Sequence, residues 1–233
     1  METRLTLSIV IPVRDEARNL PPLLAQLAPL RARGTEVIVV DGGSRDGSAA
    51  LAAQAGVVVL RSPPGRARQM NAGAARAGGA ALLFLHADTR LPPAADRRVG
   101  DALQAGRGVW GRFDVRIEGR PRMLRVVAGM MNLRSRLTGI ATGDQAMFMT
   151  RAAFDAVGGF PELPLMEDVE LSRRLKALSA PICLRPPAHT SGRRWEAHGV
   201  WRTIVLMWRL RWAWWRGAPA AELAARYRGS ARQ

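Results

Sequence analysis

Glu36-Val37-Ile38-Val39-Val40-Asp41-Gly42-Gly43-Ser44-Arg45-Asp46-Gly47-Ser48 runs from an apolar stretch into a tight polar turn, and an alanine-rich segment follows. Four consecutive β-branched residues suit a strand buried on both faces, as in a parallel sheet. The Asp, Gly and Ser residues supply the turn, and Asp46 is placed to cap the helix that follows. A strand that ends in a carboxylate and hands over to a helix N-terminus is the unit at whose carboxyl edge open α/β sheets bind ligands.

The same alternation continues in both directions. Leu7 to Pro12 reads as the first strand. Asn19 is placed as an N-cap, Pro21 and Pro22 sit in the first turn, and Leu20, Leu23, Leu24, Leu27 and Leu30 form a helical stripe that Gly34 ends. Val57 to Leu60 and Ala81 to Leu85 are the third and fourth strands. The fourth ends in His86-Ala87-Asp88, and Pro92-Pro93 opens another helix. Further on, the pattern predicts a strand over Gly108 to Val115, a helix over Met123 to Leu137, and a strand over Gln145 to Thr150 with a short helix to Val157. A charged helix over Glu167 to Ala177 follows. The expected fold class is α/β, a mostly parallel sheet flanked by helices.

At 233 residues and 25.4 kDa the chain suits one body. Its formal net charge of +16 points toward nucleic acid, an anionic membrane surface or a polyanion. Lys176 is the sole lysine, however, and an Ala-, Arg-, Gly- and Pro-rich composition accounts for the arginine excess equally well. Cys183 stands alone, which excludes an internal disulfide framework and a multi-cysteine zinc site. From Met1 the chain enters the apolar run Leu7 to Val13 without a cleavage pattern, so that run reads as a strand rather than a signal peptide.

Asp41 and Asp88 each follow a strand, which puts both carboxylates on one sheet edge. A hard divalent cation needs only one or two such groups when it also bridges phosphate oxygens. Asp88 is the metal candidate, with His86 beside it, although a histidine there also closes a strand in a hydrogen-bonded pocket. Gly65 opens a basic loop in which Arg66 and Arg68 face either a diphosphate or solvent. Glu167 and Asp168 begin a helix, where acids also complement the dipole.

Taken in order, Ser8-Ile9-Val10-Ile11-Pro12 with Glu16, then Val39 to Gly47, then His86-Ala87-Asp88 resemble the family-2 glycosyltransferases of GT-A fold. Gly143-Asp144-Gln145-Ala146-Met147-Phe148, Gly158-Gly159-Phe160 and Glu167-Asp168-Val169-Glu170-Leu171 are similar to that family's acceptor-side block. The resemblance spans roughly the first four-fifths of the chain. More narrowly it is similar to small stand-alone bacterial transferases found beside radical-enzyme and selenium-related domains.

The resemblance implies an inverting, non-processive transfer of a sugar from a nucleotide diphosphate carrier to an acceptor hydroxyl or similar nucleophile. It assigns Pro12, Glu16, Asp41 and Arg66 to the nucleotide, and Asp88 with His86 to Mg2+ or Mn2+. Asp168 becomes the general base with Glu167 shaping its surroundings, and Gly143, Asp144, Gln145 and Trp195 lie on the acceptor side. The implied domain covers 1–198, with a nucleotide half 1–106 and an acceptor half 107–198. Three positions depart from the family's pattern. His86 replaces the first aspartate of the metal motif, Gly42 replaces the aspartate after Asp41, and Ser191 stands where a Gln-x-x-Arg-Trp motif ending in Arg194-Trp195 has glutamine.

The remaining segment, 199–233, is an amphipathic tail. Trp201, Trp208, Trp212 and Trp215 share one helical face, with Arg202, Arg209 and Arg216 alongside. Such a helix is too interrupted to cross a bilayer but suits the headgroup boundary; packing on the body or on a second protomer is the alternative. Membrane contact would favour a lipid-like acceptor, such as a polyprenyl phosphate or a carotenoid acid, and a cytoplasmic protein at the inner face of the cell membrane. Nucleic acid is not expected as a partner. Two other functions remain as rivals. A sugar-phosphate nucleotidyltransferase would carry a glycine-rich loop after its first strand, where this chain has Val13-Arg14-Asp15-Glu16. A non-catalytic basic module would bind anionic lipid or nucleic acid with no use for the ordered acids.

Overall fold

The computed structural model describes residues 5–229; residues 1–4 and 230–233, the outer ends of the expected domain and tail, lie outside the described residues. Strand β1 (Leu7–Val13) pairs in parallel with β2 (Glu36–Asp41) on one side and, on the other, with β4 (Ala81–Phe84); β3 (Val58–Arg61) extends β2. Beyond β4 come β7 (Phe148–Thr150), β6 (Trp110–Glu118), β8 (Ile182–Ser191) and β5 (Thr89–Arg90), in the order β3-β2-β1-β4-β7-β6-β8-β5. Only β7 and β5 run against the rest, so the sheet is mixed and mostly parallel as expected.

Successive side chains of a strand face opposite ways, and each face has its own core. Ile9, Ile11, Val39 and Leu83 meet the leucine stripe of α1 (Leu20–Arg31) and Val99 and Leu103 of α4 (Ala95–Gln104), with Ala52 of α2 (Ser48–Gln54) at the side. Val10, Ile38, Val40 and Leu82 meet Ala67, Met70 and Ala74 of α3 (Arg66–Arg76), Phe154 of α6 (Arg151–Ala156), and Leu171 and Leu175 of α7 (Glu167–Leu175). The helix α5 (Met123–Thr138) packs on β6. After β8 come α8 (Arg193–His198), α9 (Val200–Trp215) and α10 (Ala220–Gly229).

Three local expectations change. Asn19 occupies the N-cap position of α1, but its amide donates to Glu16 instead of capping. Gly47, with φ of 86°, is the N-cap of α2, while Asp46 accepts the Ser48 N–H from one residue upstream. The strand expected over 145–150 shortens to β7, because Gly143–Gln145 forms a 3₁₀ turn and Ala146 takes a left-handed φ of 45°. Strand β8 itself was hidden by Pro186 and Pro187, residues that cannot donate to a ladder; the sheet absorbs them with a register shift opposite Phe113 to Val115.

At that irregularity Asp114 gathers three guanidinium groups. Arg112, fully buried, bonds it along with Ser135 Oγ (3.1 Å) and the Asn132 carbonyl (3.1 Å). Arg136 adds a two-pronged pair at 2.6 and 2.9 Å, and Arg185 a bond at 2.9 Å. Burial pushes the Asp114 carboxyl up, but the hydrogen bonds from Arg136, Arg112 and Arg185 outweigh it and hold it well below the usual carboxylate range. A carboxyl lowered in this way stabilises the fold fully above its unfolded pKa, about 3.9, and the contribution fades as pH falls toward the folded value. Asp114→Ala, which strands the buried Arg112, is expected to cost about 3–5 kcal/mol in urea denaturation. The variant should also lose less stability than the parent on acidification below about pH 4.

Candidate functional site

The loops that leave β1 and β2 are laced together by their own polar groups. The Asp15 N–H donates to Ser44 Oγ (2.9 Å), Glu16 N–H to Ser48 Oγ (2.9 Å) and Ala17 N–H to Asp46 (2.8 Å), while Arg45 N–H donates to Asp15 (2.7 Å). Pro12, half-buried near the end of β1, lies opposite Val40. Asp41 is buried, and its carboxylate accepts the N–H groups of Gly43 and Ser44 at 3.2 Å, which shapes the turn after β2. Beneath it the amide of Gln69, on α3, donates to the carbonyls of Val13 (2.9 Å) and Val40 (2.7 Å). A Cβ at position 42 would lie 2.9 Å from that amide, so the glycine that departs from the family's aspartate is what lets Gln69 join the two strand ends.

Asp88 follows β4 at the same edge. Arg193, at the start of α8, reaches Asp88 Oδ2 at 3.2 Å and Glu16 Oε2 at 3.5 Å, bridging the first and fourth strand ends. Two residues before Asp88, His86 pairs through Nδ1 with Asp144 at 3.3 Å. Burial raises the Asp144 carboxyl, yet the hydrogen bond and charge of His86, with Arg66, bring it below its ordinary value. The imidazole lies so close to Gly143 that a Cβ there would sit 2.3 Å from Nε2. Only a residue without a side chain fits.

Gly143 also supplies the contact to α7, its N–H donating to Asp168 Oδ2 at 2.8 Å; Oδ1 accepts the Val169 N–H at 2.8 Å. Glu167, almost fully buried, meets Arg66 at 3.3 Å. Burial first and the Asp168 charge second push the Glu167 carboxyl up, against the pull of Arg66. Arg66, His86, Gly143, Glu167 and Asp168 line one small cavity, whose walls include Phe84 and Phe160.

The fold therefore gathers most of the expected residues on one edge: Glu16, Asp41, Asp88 and His86 at strand ends, and Gly143, Asp144, Glu167 and Asp168 on the turn and helix that meet His86. Other side chains take structural places. Gln145 is fully buried, accepting the Thr142 N–H at 3.2 Å. Trp195 packs with Leu124 and Val127 of α5, outside the cavity lining. Arg68 turns to Glu162 at 3.0 Å. Three contributors went unread in the sequence: Arg193, Gln69 and Asn71, whose amide exchanges hydrogen bonds with the Phe160 backbone at 2.8 and 2.9 Å. Arg193 adjoins the Arg194-Trp195 motif, a signal of position alone. Among the described residues no group of three or more His, Cys, Asp and Glu side chains is arranged to hold a metal.

Residues 8–157 match the model for Glycosyl transferase family 2. The undecaprenyl-phosphate 4-deoxy-4-formamido-L-arabinose transferase of Aeromonas hydrophila is 33% identical over 115 residues, 45% of this chain and 35% of the relative. Its counterpart in Yersinia enterocolitica is 32% identical over 150 residues, 59% of this chain and 45% of the relative. The chain thus spans less than half the length of these curated relatives. Among solved structures, S. aureus TarS matches with a TM-score of 0.65 at 17% identity, over 81% of this chain and 61% of that one. The mannosyltransferase PcManGT from Pyrobaculum calidifontis, in complex with GDP-Man and Mn2+, matches with a TM-score of 0.58 at 19% identity, over 80% and 56%. These structural likenesses establish the GT-A fold, and with the family model spanning β1 to α6, the chain belongs to glycosyl transferase family 2.

Proposed function

We propose that this protein transfers a sugar from a nucleoside diphosphate carrier to an acceptor hydroxyl or similar nucleophile, with inversion and one sugar per encounter. The observation that carries this reading is Asp168, fixed by two backbone N–H groups beside His86 and Gly143, at the edge that also holds Asp88, Glu16 and Arg193. Each Asp168 oxygen accepts one backbone N–H and keeps a lone pair free for a proton. Asp168 takes the acceptor proton as that oxygen bonds to the anomeric carbon and the bond from that carbon to the diphosphate oxygen breaks on the opposite side. Glu167 sets the surroundings of the base, and Pro12, Glu16 and Asp41 form the nucleoside end. Arg66 and Arg193 meet the diphosphate, and Gly143 and Asp144 belong to the acceptor side, with the buried Gln145 holding the turn that carries them.

The donor set fits a divalent ion through Asp88, a partly exposed carboxylate at the strand edge, since such an ion takes one or two protein carboxylates and completes its shell with phosphate oxygens and water. Asp88 would hold Mg2+ or Mn2+, with the His86–Asp144 pair next to it. When bound, the ion supplies charge neutralisation at the departing phosphate oxygen. Solved relatives of the same fold carry UDP-GlcNAc, or GDP-Man with Mn2+, which supports this reading. A lipid-phosphate acceptor is supported by the undecaprenyl-phosphate transferases that the chain resembles; peripheral contact through α9 at the inner face of the cell membrane, in the cytoplasm, is proposed from the exposed tryptophans of that helix. No helix among the described residues is long and apolar enough to cross a membrane.

Asp168→Asn should lower turnover by about 10² to 10⁴ with nucleotide affinity retained, the signature of a lost general base; near-normal transfer would remove Asp168 from that role. Asp88→Ala should abolish the manganese-dependent thermal shift given by the cognate nucleoside diphosphate, identified by screening uridine, guanosine and cytidine forms with Mg2+ or Mn2+. An unchanged shift would send the metal elsewhere. Burial raises the Glu167 pKa, so the stability that its protonated form contributes is complete below the ordinary glutamate value, about 4.3, and is lost as pH rises through the raised value. Glu167→Gln should therefore gain in melting temperature over the parent as pH is raised, levelling off once the carboxyl is ionised, and should transfer sugar more slowly.

A further inference from the structure

Two neighbouring helices leave apolar stripes in water. On α9 the side chains of Trp201, Trp208, Trp212 and Trp215 are between 58% and 75% exposed, and Val205 joins them. Its opposite side is well occupied: Leu206, Met207, Leu210 and Trp214 pack with Leu223 of α10 and with Met166. The tryptophan face is therefore surplus to the core. On α5, Val126, Met130, Leu133 and Leu137 are between 51% and 76% exposed and recur at steps of four, three and four, one face of a helix. Both helices anchor on one small cluster, in which Leu124, Val127 and Ala128 of α5 gather Ile117 of β6, Trp195 of α8, and Val200 and Ile204 of α9.

Charge distinguishes the partners. Neither α5 nor α9 contains an acidic residue, and Arg122, Arg125, Arg202, Arg209 and Arg216 stand exposed along the two stripes. A second copy docked through this face would bring arginine toward arginine with no acid on either helix to answer. An anionic bilayer offers both complements, acyl chains for the stripes and phosphates for the rim. Between α8 and α9 lies a concavity of about 500 Å³ whose lining mixes His198 and Arg202 with Val200, Trp201 and Leu206; Arg194 also lines it, its guanidinium stacked on Tyr227 at 3.6 Å. Basic and apolar groups together suit a phosphate-bearing lipid headgroup.

We propose that the outer faces of α5 and α9 form one docking surface for an anionic lipid bilayer, with the concavity between α8 and α9 receiving a headgroup. The surface extends the membrane contact of α9 to a helix of the catalytic body. Six residues beyond Leu137 the chain reaches Gly143, whose N–H holds Asp168, so the surface and the site are joined by a short stretch of chain.

Flotation of the full chain tests this with two vesicle types, phosphatidylcholine alone and phosphatidylcholine mixed with phosphatidylglycerol. The parent is expected to float with the mixed vesicles, and less so in high salt or with neutral ones. Met130→Glu with Leu137→Glu on α5, and Trp208→Glu with Trp212→Glu on α9, should each lower the bound fraction at least about tenfold. Melting temperatures should stay at the parent's value, since these side chains are exposed. An α5 pair that floats like the parent overturns the shared surface, as does a parent that floats with neither vesicle. A parent dimer in light scattering that the α5 pair dissolves, without vesicle binding, assigns the face to self-association instead. Asp88→Ala should float like the parent, so this proposal and the transferase reading fail separately.

Discussion

Parallel pairing of β1 with both β2 and β4 is the constraint from which the site follows. In a parallel sheet neighbouring strands all end on the same side, so the loops after Val13, Asp41 and Phe84 emerge together though distant in sequence. Gln69 reinforces the arrangement by bonding two of these strand ends at once. Arg193 then reaches across from the far end of β8 to Glu16 and Asp88. The remaining half of the site arrives through β7, whose antiparallel pairing with β4 brings the 142–145 turn against His86.

How legible this was in the sequence depended on whether a residue's role was local. Strands β1, β2 and β4 could be read because their apolar runs are buried on both faces and end at turn residues. The helices α1, α5 and α7 could be read from periodicity. By contrast β8 carries two prolines, and its pairing with β6 depends on a register shift that only the tertiary structure supplies. The acids after the strands were visible as site candidates because a strand end followed by a turn has few other uses for them. The individual duties were less visible. Asp41 bonds its own turn, Gln145 is buried in its own turn, and Trp195 fills a cluster on α5. Gln69, Asn71 and Arg193 carry no motif, and each acts through partners far away in the chain.

The high arginine content acquires specific work in several places. Asp114 draws in Arg112, Arg136 and Arg185, and Arg151 donates to the carbonyls of Ala74, Ala77 and Gly79 at the end of α3 and just beyond it. Planar forked donors suit such multiple contacts better than an ammonium would. Composition bias and structural need are compatible here, since the interior pairs use part of the excess and the outer helices display another part.

Gly143 touches three chemical groups at one point: the imidazole whose Nε2–Cε1 edge faces its α-carbon, the aspartate that pairs with that ring from the next position, and the carboxylate that its amide grips. Adding one methyl group there would push the ring aside, and the displacement would pass to both acids. Any reshaping of this pocket must therefore avoid this backbone position and proceed through the surrounding walls, where a larger or smaller side chain can be accommodated without unseating these three groups.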